Sequence, residues 1–171
     1  VFERFGISSQ ARNTSRVSSF GVEGEVRFET RRVDAFATVT LAEARAQNAL
    51  DATLNVTQRV PATPIWYGSV GLLGRLPEWF VQAYAEFRFV GDRAASLENI
   101  RRNSLQPYTL APYAVVDLCL SSLQLKLLGA ETQVSLRVQN LLATRYATAG
   151  YGGIDAPNLG RVFELTWMQK F

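Results

Sequence analysis

The sequence predicts an all-β protein, an antiparallel segment of a transmembrane β-barrel with about seven or eight meandering strands. Three observations lead to this prediction. Several segments alternate apolar and polar residues with a period of two, their charged residues keep to one phase, and the connections between them are alternately short and long. A membrane barrel requires this pattern because every second strand residue faces lipid, with short periplasmic turns and long extracellular loops.

Seven segments carry the alternation. In the first, Phe20 and Val22 share one face, and Glu23 and Glu25 share the other. A charge facing lipid at the bilayer centre costs about 2–4 kcal/mol, so the apolar phase is predicted to face lipid. A soluble sandwich would reverse the two faces, but strands of about 9–11 residues favour a membrane barrel. The predicted strands cover residues 20–28, 33–41, 65–75, 81–89, 114–120, 133–139 and 163–171.

The connections between these strands divide into two classes. Counting back from a periplasmic C-terminus puts every short connection on the periplasmic side of the membrane and every long one at the cell surface. The short connections are 30–32, 76–78 and 127–131, and the long ones are 6–16, 45–63, 91–112 and 143–160. Residues 41–52 are rich in helix formers, but they are interpreted as a strand end followed by a loop.

Two local departures interrupt the alternation. After Ser122 the apolar phase shifts to Leu123 and Leu125, which predicts a bulge or the end of the strand. In the last strand, Gln169 is the one polar residue on the apolar face. Aromatic residues near strand ends are candidates for the two interfacial girdles of a barrel: Trp66, Trp79, Phe89, Tyr113, Phe163 and Phe171.

Composition excludes several functions. The 171 residues contain no histidine, which removes Ser-His-Asp and Cys-His catalysis and most zinc sites. No apolar stretch approaches the ~18 residues of a transmembrane helix. The net charge of +3 comes from scattered arginines, so no nucleic-acid partner is predicted.

The remaining candidate chemical groups have simpler interpretations. Glu23 and Glu25 are expected to be solvated lumen charges that pair with Arg27 or Arg88. The single cysteine, Cys119, is expected to face the lumen or to be packed. Asp92 and Asp155 lie in loops without companion ligands, so no calcium site is predicted. We therefore expect no enzyme, no catalytic residue, no cofactor and no resident metal.

The C-terminal third resembles TonB-dependent outer-membrane receptors. Residues 138–142 (Val-Gln-Asn-Leu-Leu) with 145–146 (Arg-Tyr) are similar to the penultimate-strand signature of that family. Residues 150–152 (Gly-Tyr-Gly), with Pro157 and Gly160, resemble the loop that leads into its last strand. Shorter matches follow in the family's order upstream, at 21–23, 60–61, 90–93 and 116–118. Ala143 departs from the pattern, because family members commonly carry Asp or Asn there, and a small effect on that turn is expected.

The resemblance implies a fold, a location and a function. Such receptors have about 22 strands closed around an N-terminal plug. They import iron-siderophores, haem, cobalamin or glycans across the Gram-negative outer membrane with energy from the TonB complex. Residues 1–171 would then form the C-terminal portion of the barrel, with the plug and its TonB box absent, so that TonB acts only through the missing plug.

The resemblance also implies partners and contact residues. Expected partners are outer-membrane lipid, a small-molecule ligand such as a metal chelate, and the barrel-assembly machinery. That machinery would recognise the aromatic end of the last strand, through Phe163, Leu165, Trp167 and Phe171. Candidate ligand contacts in the outer loops are Arg101, Arg102, Tyr108, Tyr113, Tyr146 and Tyr151.

Two alternatives remain open at this stage. Lipid tolerates no open sheet edge, so seven strands imply a fragment of a larger barrel unless Val1–Gln10 supplies an eighth strand. A self-closed eight-stranded barrel would have a structural or adhesive role. A barrel-embedded lipid enzyme is a third hypothesis, against which the missing histidine counts.

Overall fold

The computed structural model describes residues 2–5, 8–11, 15–48, 57–104, 106–123, 125–150 and 153–170. Most of these residues form extended strands. The strands are β1 Phe2–Phe5, β2 Ser8–Ala11, β3 Ser15–Glu29, β4 Val33–Asn48, β5 Thr57–Arg59, β6 Trp66–Leu76, β7 Val81–Val90, β8 Arg93–Ala94, β9 Thr109–Leu110, β10 Tyr113–Ser122, β11 Leu125–Leu127, β12 Ala130–Gln139, β13 Ala147–Thr148, β14 Ala156–Pro157 and β15 Val162–Lys170. The helices are a 3-10 turn, Pro77–Trp79, and α1, Leu97–Arg102.

Seven long strands form one curled antiparallel sheet in the order β3-β4-β6-β7-β10-β12-β15. Each strand pairs with the next one along the chain, with β5 added beside β4 and β11 beside β12. This arrangement confirms the predicted meander of short turns and long loops. β1 and β2 pair with each other in a separate two-stranded sheet, so neither of these described strands is an eighth strand of the large sheet.

The register aligns the two faces of all seven strands. Residues directly opposite each other in antiparallel strands point to the same face. One row across the sheet is wholly apolar: Phe28, Ala35, Leu72, Ala85, Leu118, Val138 and Phe163. The neighbouring row is mostly polar: Glu29, Asp34, Leu73, Tyr84, Cys119, Arg137 and Glu164. The apolar side chains remain exposed, Phe20 to 81% and Leu165 to 73%, as a lipid-facing surface requires.

The predicted bulge after Ser122 is confirmed and keeps a charge out of the lipid. Ser121 lies opposite Ser135, whereas Leu125 lies opposite Thr132, so β10 and β11 contain one more residue than the part of β12 they face. A one-residue slip exchanges the faces of every following side chain. Without it, Lys126 would continue the lipid-facing phase of β10. With it, Lys126 shares the inner face with Glu131.

The same region explains the polar residue on the apolar face of the last strand. Gln169 lies opposite the buried Thr132, at the periplasmic end of the sheet. Its Nε2 donates a hydrogen bond to the carbonyl oxygen of Leu127, at 3.2 Å. The amide therefore satisfies a backbone acceptor of the last periplasmic turn.

The predicted outer ends of the first two strands were wrong. β3 begins at Ser15 rather than near residue 20, and β4 ends at Asn48 rather than near residue 41, because the two strands remain paired as far as these residues. The long connections also contain short elements, the hairpins β8–β9 and β13–β14 and helix α1. No helix among the described residues is both long and apolar enough to cross a bilayer.

Candidate ligand-binding surface on the outer loops

Three long connections lie at the outer end of the sheet, at 49–65, 91–112 and 140–161, and the structure describes the first from residue 57. They are called here the first, second and third outer loops. The second loop contains α1, where the Ser96 side chain caps the helix by accepting a hydrogen bond from the Asn99 amide at 3.3 Å.

The first and second loops are joined by an ion pair and a backbone hydrogen bond. Arg59 donates from Nη1 to Asp92 Oδ2 at 2.7 Å and from Nη2 to the Asp92 carbonyl at 3.1 Å. Nearby, the Ala62 amide donates to the Ala94 carbonyl at 3.0 Å. The hydrogen bond from Arg59 holds the pKa of Asp92 below its usual value. The carboxylate therefore stays charged, and the pair persists, at neutral pH.

A buried arginine and two stacked tyrosines join the second and third loops. The Arg93 side chain is only 4% exposed; its Nη2 donates to the Ala111 carbonyl at 2.6 Å, and its guanidinium lies 4.7 Å from the ring centroid of Tyr113. Tyr113 in turn stacks on Tyr146, with centroids 3.8 Å apart and the rings 3° from parallel. The prediction that Tyr113 belongs to an interfacial girdle was wrong, because this residue lies on the inner face of the sheet and is covered by Tyr146.

Asp155 makes a second link between the same two loops. Its Oδ1 accepts a hydrogen bond from Asn99 Nδ2 at 2.8 Å, and its Oδ2 accepts one from the Tyr108 hydroxyl at 2.9 Å. Burial, and then this hydrogen bond, raise the pKa of Tyr108, so the phenol remains protonated and able to donate at neutral pH.

Asn140 organises the start of the third loop. Its Oδ1 accepts from the Thr144 amide at 2.9 Å, and its Nδ2 donates to the Thr144 carbonyl at 2.9 Å. The backbone amide of Asn140 donates to Asp117 Oδ1 at 2.7 Å, and the other carboxylate oxygen of Asp117 pairs with Arg88. Asn158 then holds Tyr146 by accepting from its amide at 3.1 Å. The third loop is thereby connected to the inner wall of the sheet.

The structure brings two of the candidate ligand contacts together. Arg102 and Tyr108 border an open depression of about 440 Å³ beside Gly153. Tyr146 borders a separate depression of about 300 Å³ on the inner face, with Arg88 and Asp117. Tyr151 and the side chain of Arg101 lie outside the described residues.

Three of the four residues predicted to carry an assembly signal lie in the last strand. Phe163, Leu165 and Trp167 alternate along β15 on the exposed apolar face. Phe171 lies outside the described residues. Of the acidic pair in β3, Glu25 forms the expected ion pair with Arg27, and this pair is exposed.

The loop contacts of three residues were not predicted from the sequence: Arg93, Asn99 and Asp155. The one signal in the sequence was Asp155 itself, because an acidic residue in a long loop needs hydrogen-bond partners. Its partners are Asn99 and Tyr108, which lie 56 and 47 residues away. Asp92 and Arg93 belong to one of the motifs shared with the receptor family, but the motif predicts no partner for either residue.

The chain matches no protein-family model and no curated protein, but solved structures resemble it. The siderophore receptor PiuA from Acinetobacter baumannii superposes with a TM-score of 0.69 and 16% identity, over 91% of this chain and 22% of that one. The FrpB iron transporter from Neisseria meningitidis gives 0.64 and 17%, over 87% and 22%. The ferric yersiniabactin uptake receptor FyuA from Yersinia pestis gives 0.54 and 20%, over 91% and 30%.

The chain has the barrel fold of these receptors. It spans roughly a quarter of their length, between 22% and 30%. The predicted resemblance to TonB-dependent receptor barrels is confirmed for the fold. The predicted location in the bacterial outer membrane agrees with these neighbours and with the apolar outer face of the sheet.

Proposed function

We propose that this chain is the C-terminal part of the barrel of an outer-membrane receptor that imports a scarce nutrient as a small metal chelate. The observation that carries the proposal is the fold shared with receptors named for siderophores and iron. At 16–20% sequence identity the similarity concerns the barrel fold alone, so the identity of the nutrient is proposed separately. An anionic ferric complex is favoured by Arg102 and the tyrosines of the outer loops.

The sheet edges support a role as part of a larger barrel. Among the described residues, the outer edges of β3 and β15 pair with no further long strand. An unpaired strand edge in hydrocarbon costs several kcal/mol for each backbone group. Further strands, and a plug that engages the TonB complex, would complete the receptor, and the last strand would be read by the barrel-assembly machinery. No described residue set favours an enzyme over a receptor.

Binding measurements on the complete protein test this proposal. Outer-membrane vesicles carrying it are titrated with ferric complexes of a catecholate, a hydroxamate and a citrate-type chelator, and with haem and cobalamin, while tryptophan fluorescence is followed. We expect saturable binding of one ferric complex. We also expect Arg102→Ala to raise its Kd about tenfold, the effect of losing about 1.4 kcal/mol of interaction with an anion.

Arg32→Ala is the matched control, because Arg32 is another exposed arginine, paired with Glu78 at the periplasmic end of the sheet. It should leave the Kd unchanged. The proposal is abandoned if none of the five probes binds saturably, or if Arg32→Ala weakens binding as much as Arg102→Ala does.

A further inference from the structure

The most enclosed residues of the described chain lie in an outer loop, not in the sheet. Ala95 and Asn99 are 1% and 2% exposed, and the capping residue Ser96 is also buried. A membrane sheet wall has lipid on one side and the lumen on the other, so it has no core of its own. The buried cluster around α1 therefore serves as the packing centre of the outer loops.

Asp155 reaches this cluster from the third loop. Both of its carboxylate oxygens are used, one by Asn99 Nδ2 and one by the Tyr108 hydroxyl, at 2.8 and 2.9 Å. Hydrogen bonds to a charged acceptor are roughly twice as strong as neutral ones. Asn99 lies on α1, and Tyr108 lies just before β9, so one side chain holds both halves of the second loop.

The same two loops also make a close contact beside Asp155. Gly153 has a φ of +85°, and a Cβ on it would lie 2.2 Å from Cδ of Arg102. A glycine there both allows the left-handed backbone and makes room for the arginine of the other loop. The two loops therefore approach so closely beside Asp155 that the Arg102 side chain covers Gly153.

We propose that Asp155 is a positioning residue that locks the second and third outer loops into one body. The residue fixes the second loop through Asn99 and Tyr108. In doing so, it sets where Arg102 stands relative to the third loop. The lock concerns the loops themselves and holds whatever ligand the receptor takes.

Amide hydrogen exchange in the complete protein, in outer-membrane vesicles, tests the lock. The reporters are backbone amides that are already hydrogen-bonded within the second loop, those of Ala95, Ile100 and Asn103. In Asp155→Ala we expect peptides covering these amides to exchange about tenfold faster, because local opening sets exchange in such segments. A residue that only shaped its own loop would leave the second loop unchanged.

Three further variants sharpen the test. Leu159→Ala changes a side chain of the third loop that is 93% exposed, and it should leave exchange of the second loop as in the wild type. Asp155→Asn keeps one acceptor oxygen and should give an intermediate rate. As a single variant, Tyr108→Phe should speed exchange of the second loop. In the Asp155→Ala background it should add little, because both changes remove the same hydrogen bond.

Unchanged exchange of the second loop in Asp155→Ala overturns the proposal, as does an equal effect of Leu159→Ala or full additivity with Tyr108→Phe. If Asp155→Ala fails to assemble, the double variant Asn99→Ala/Tyr108→Phe removes the same contact from the other side. It should then speed exchange of the Asn158 amide, which donates to the Tyr146 carbonyl in the third loop. Wild-type exchange at that amide would also overturn the proposal.

Discussion

Single residues with left-handed backbone show where the turn after β12 is strained. Asn140 and Ala143 have φ values of +52° and +53°, and the Ala143 amide donates to the Asn140 carbonyl at 2.8 Å. Asparagine adopts this conformation more readily than alanine does, because its side chain can hydrogen-bond locally. The expected small effect of Ala143 on the turn, stated from the sequence alone, thus has a physical cause.

Replacing Ala143 by asparagine should stabilise the protein. The left-handed conformation costs an L-residue other than glycine about 1–2 kcal/mol, and asparagine recovers part of it, so the free energy of unfolding should rise by about 0.5–1 kcal/mol. Urea-induced unfolding in detergent micelles measures the change. Ala147→Asn in β13, where φ is not positive, is the control and should bring no gain; a gain there equal to that at 143 would contradict this explanation.

Residue roles were the least predictable level. The strand phase of Glu25, Arg27 and Cys119 followed from local alternation. The contacts of Asp155 did not, because its partners are about fifty residues distant and belong to a different loop. Nothing in a local pattern encodes such a pairing.

At the scale of elements, a glycine and an aromatic ring on neighbouring strands show how the inner face is packed. Gly71 of β6 lies directly opposite Phe36 of β4, and a Cβ on Gly71 would lie 2.1 Å from Cε1 of the Phe36 ring. The ring therefore covers the glycine backbone across the strand pair. Such coverage compensates for the packing that a strand glycine lacks.

Substituting Gly71 should destabilise the sheet only because the new side chain displaces the Phe36 ring. Gly71→Ala forces Phe36 out of its position, and overpacking of this kind costs about 1–3 kcal/mol. In a Phe36→Ala background, the same substitution should cost much less. The free energies of unfolding of the four proteins in this double-mutant cycle measure the coupling.

Gly74 provides the control on the same strand. A Cβ there would meet no atom within 4 Å, so Gly74→Ala should be nearly neutral. Equal costs at Gly71 and Gly74, or a Gly71 cost independent of Phe36, would show that the ring is not the cause.

Strands were predictable and their outer ends were not, for one reason. Within the bilayer, burial in lipid imposes alternation, so the phase of each strand can be read from its own residues. Above the bilayer, that constraint ends. In the extension of β4, the charged residues Glu43 and Arg45 take the phase that faces lipid earlier in the strand, which predicted a loop. The strands of the β8–β9 and β13–β14 hairpins have two residues each, too few to show alternation. The bulge was detectable because it shifts the phase within the membrane.

At the scale of the whole molecule, the two faces of the sheet differ in what they tolerate. Val70 lies on the apolar face near the middle of β6, and Ser69 beside it faces the inner side, within hydrogen-bond distance of Thr38. An arginine on the lipid face near the midplane costs about 2–4 kcal/mol, while one in the lumen stays hydrated. Val70→Arg should therefore reduce the yield of heat-modifiable, folded barrel far more than Ser69→Arg does.

Gel migration of unheated samples and urea unfolding midpoints compare these two variants. Both introduce the same side chain at adjacent positions, so the difference isolates the face. Similar losses in both variants would argue against a lipid-facing surface on this side of the sheet.

The unequal length of the strands has a consequence at the cell surface. β6 stops pairing with β4 at Leu41, but β3 and β4 remain paired for seven more residues, about 23 Å along the strand. This ribbon extends beyond β6, and β5 of the first outer loop pairs with its Arg45–Gln47 segment. A hydrogen-bonded ribbon holds its shape better than a free loop does, so we expect it to form a defined structural epitope. A binder raised against this ribbon would also sense the first outer loop through β5.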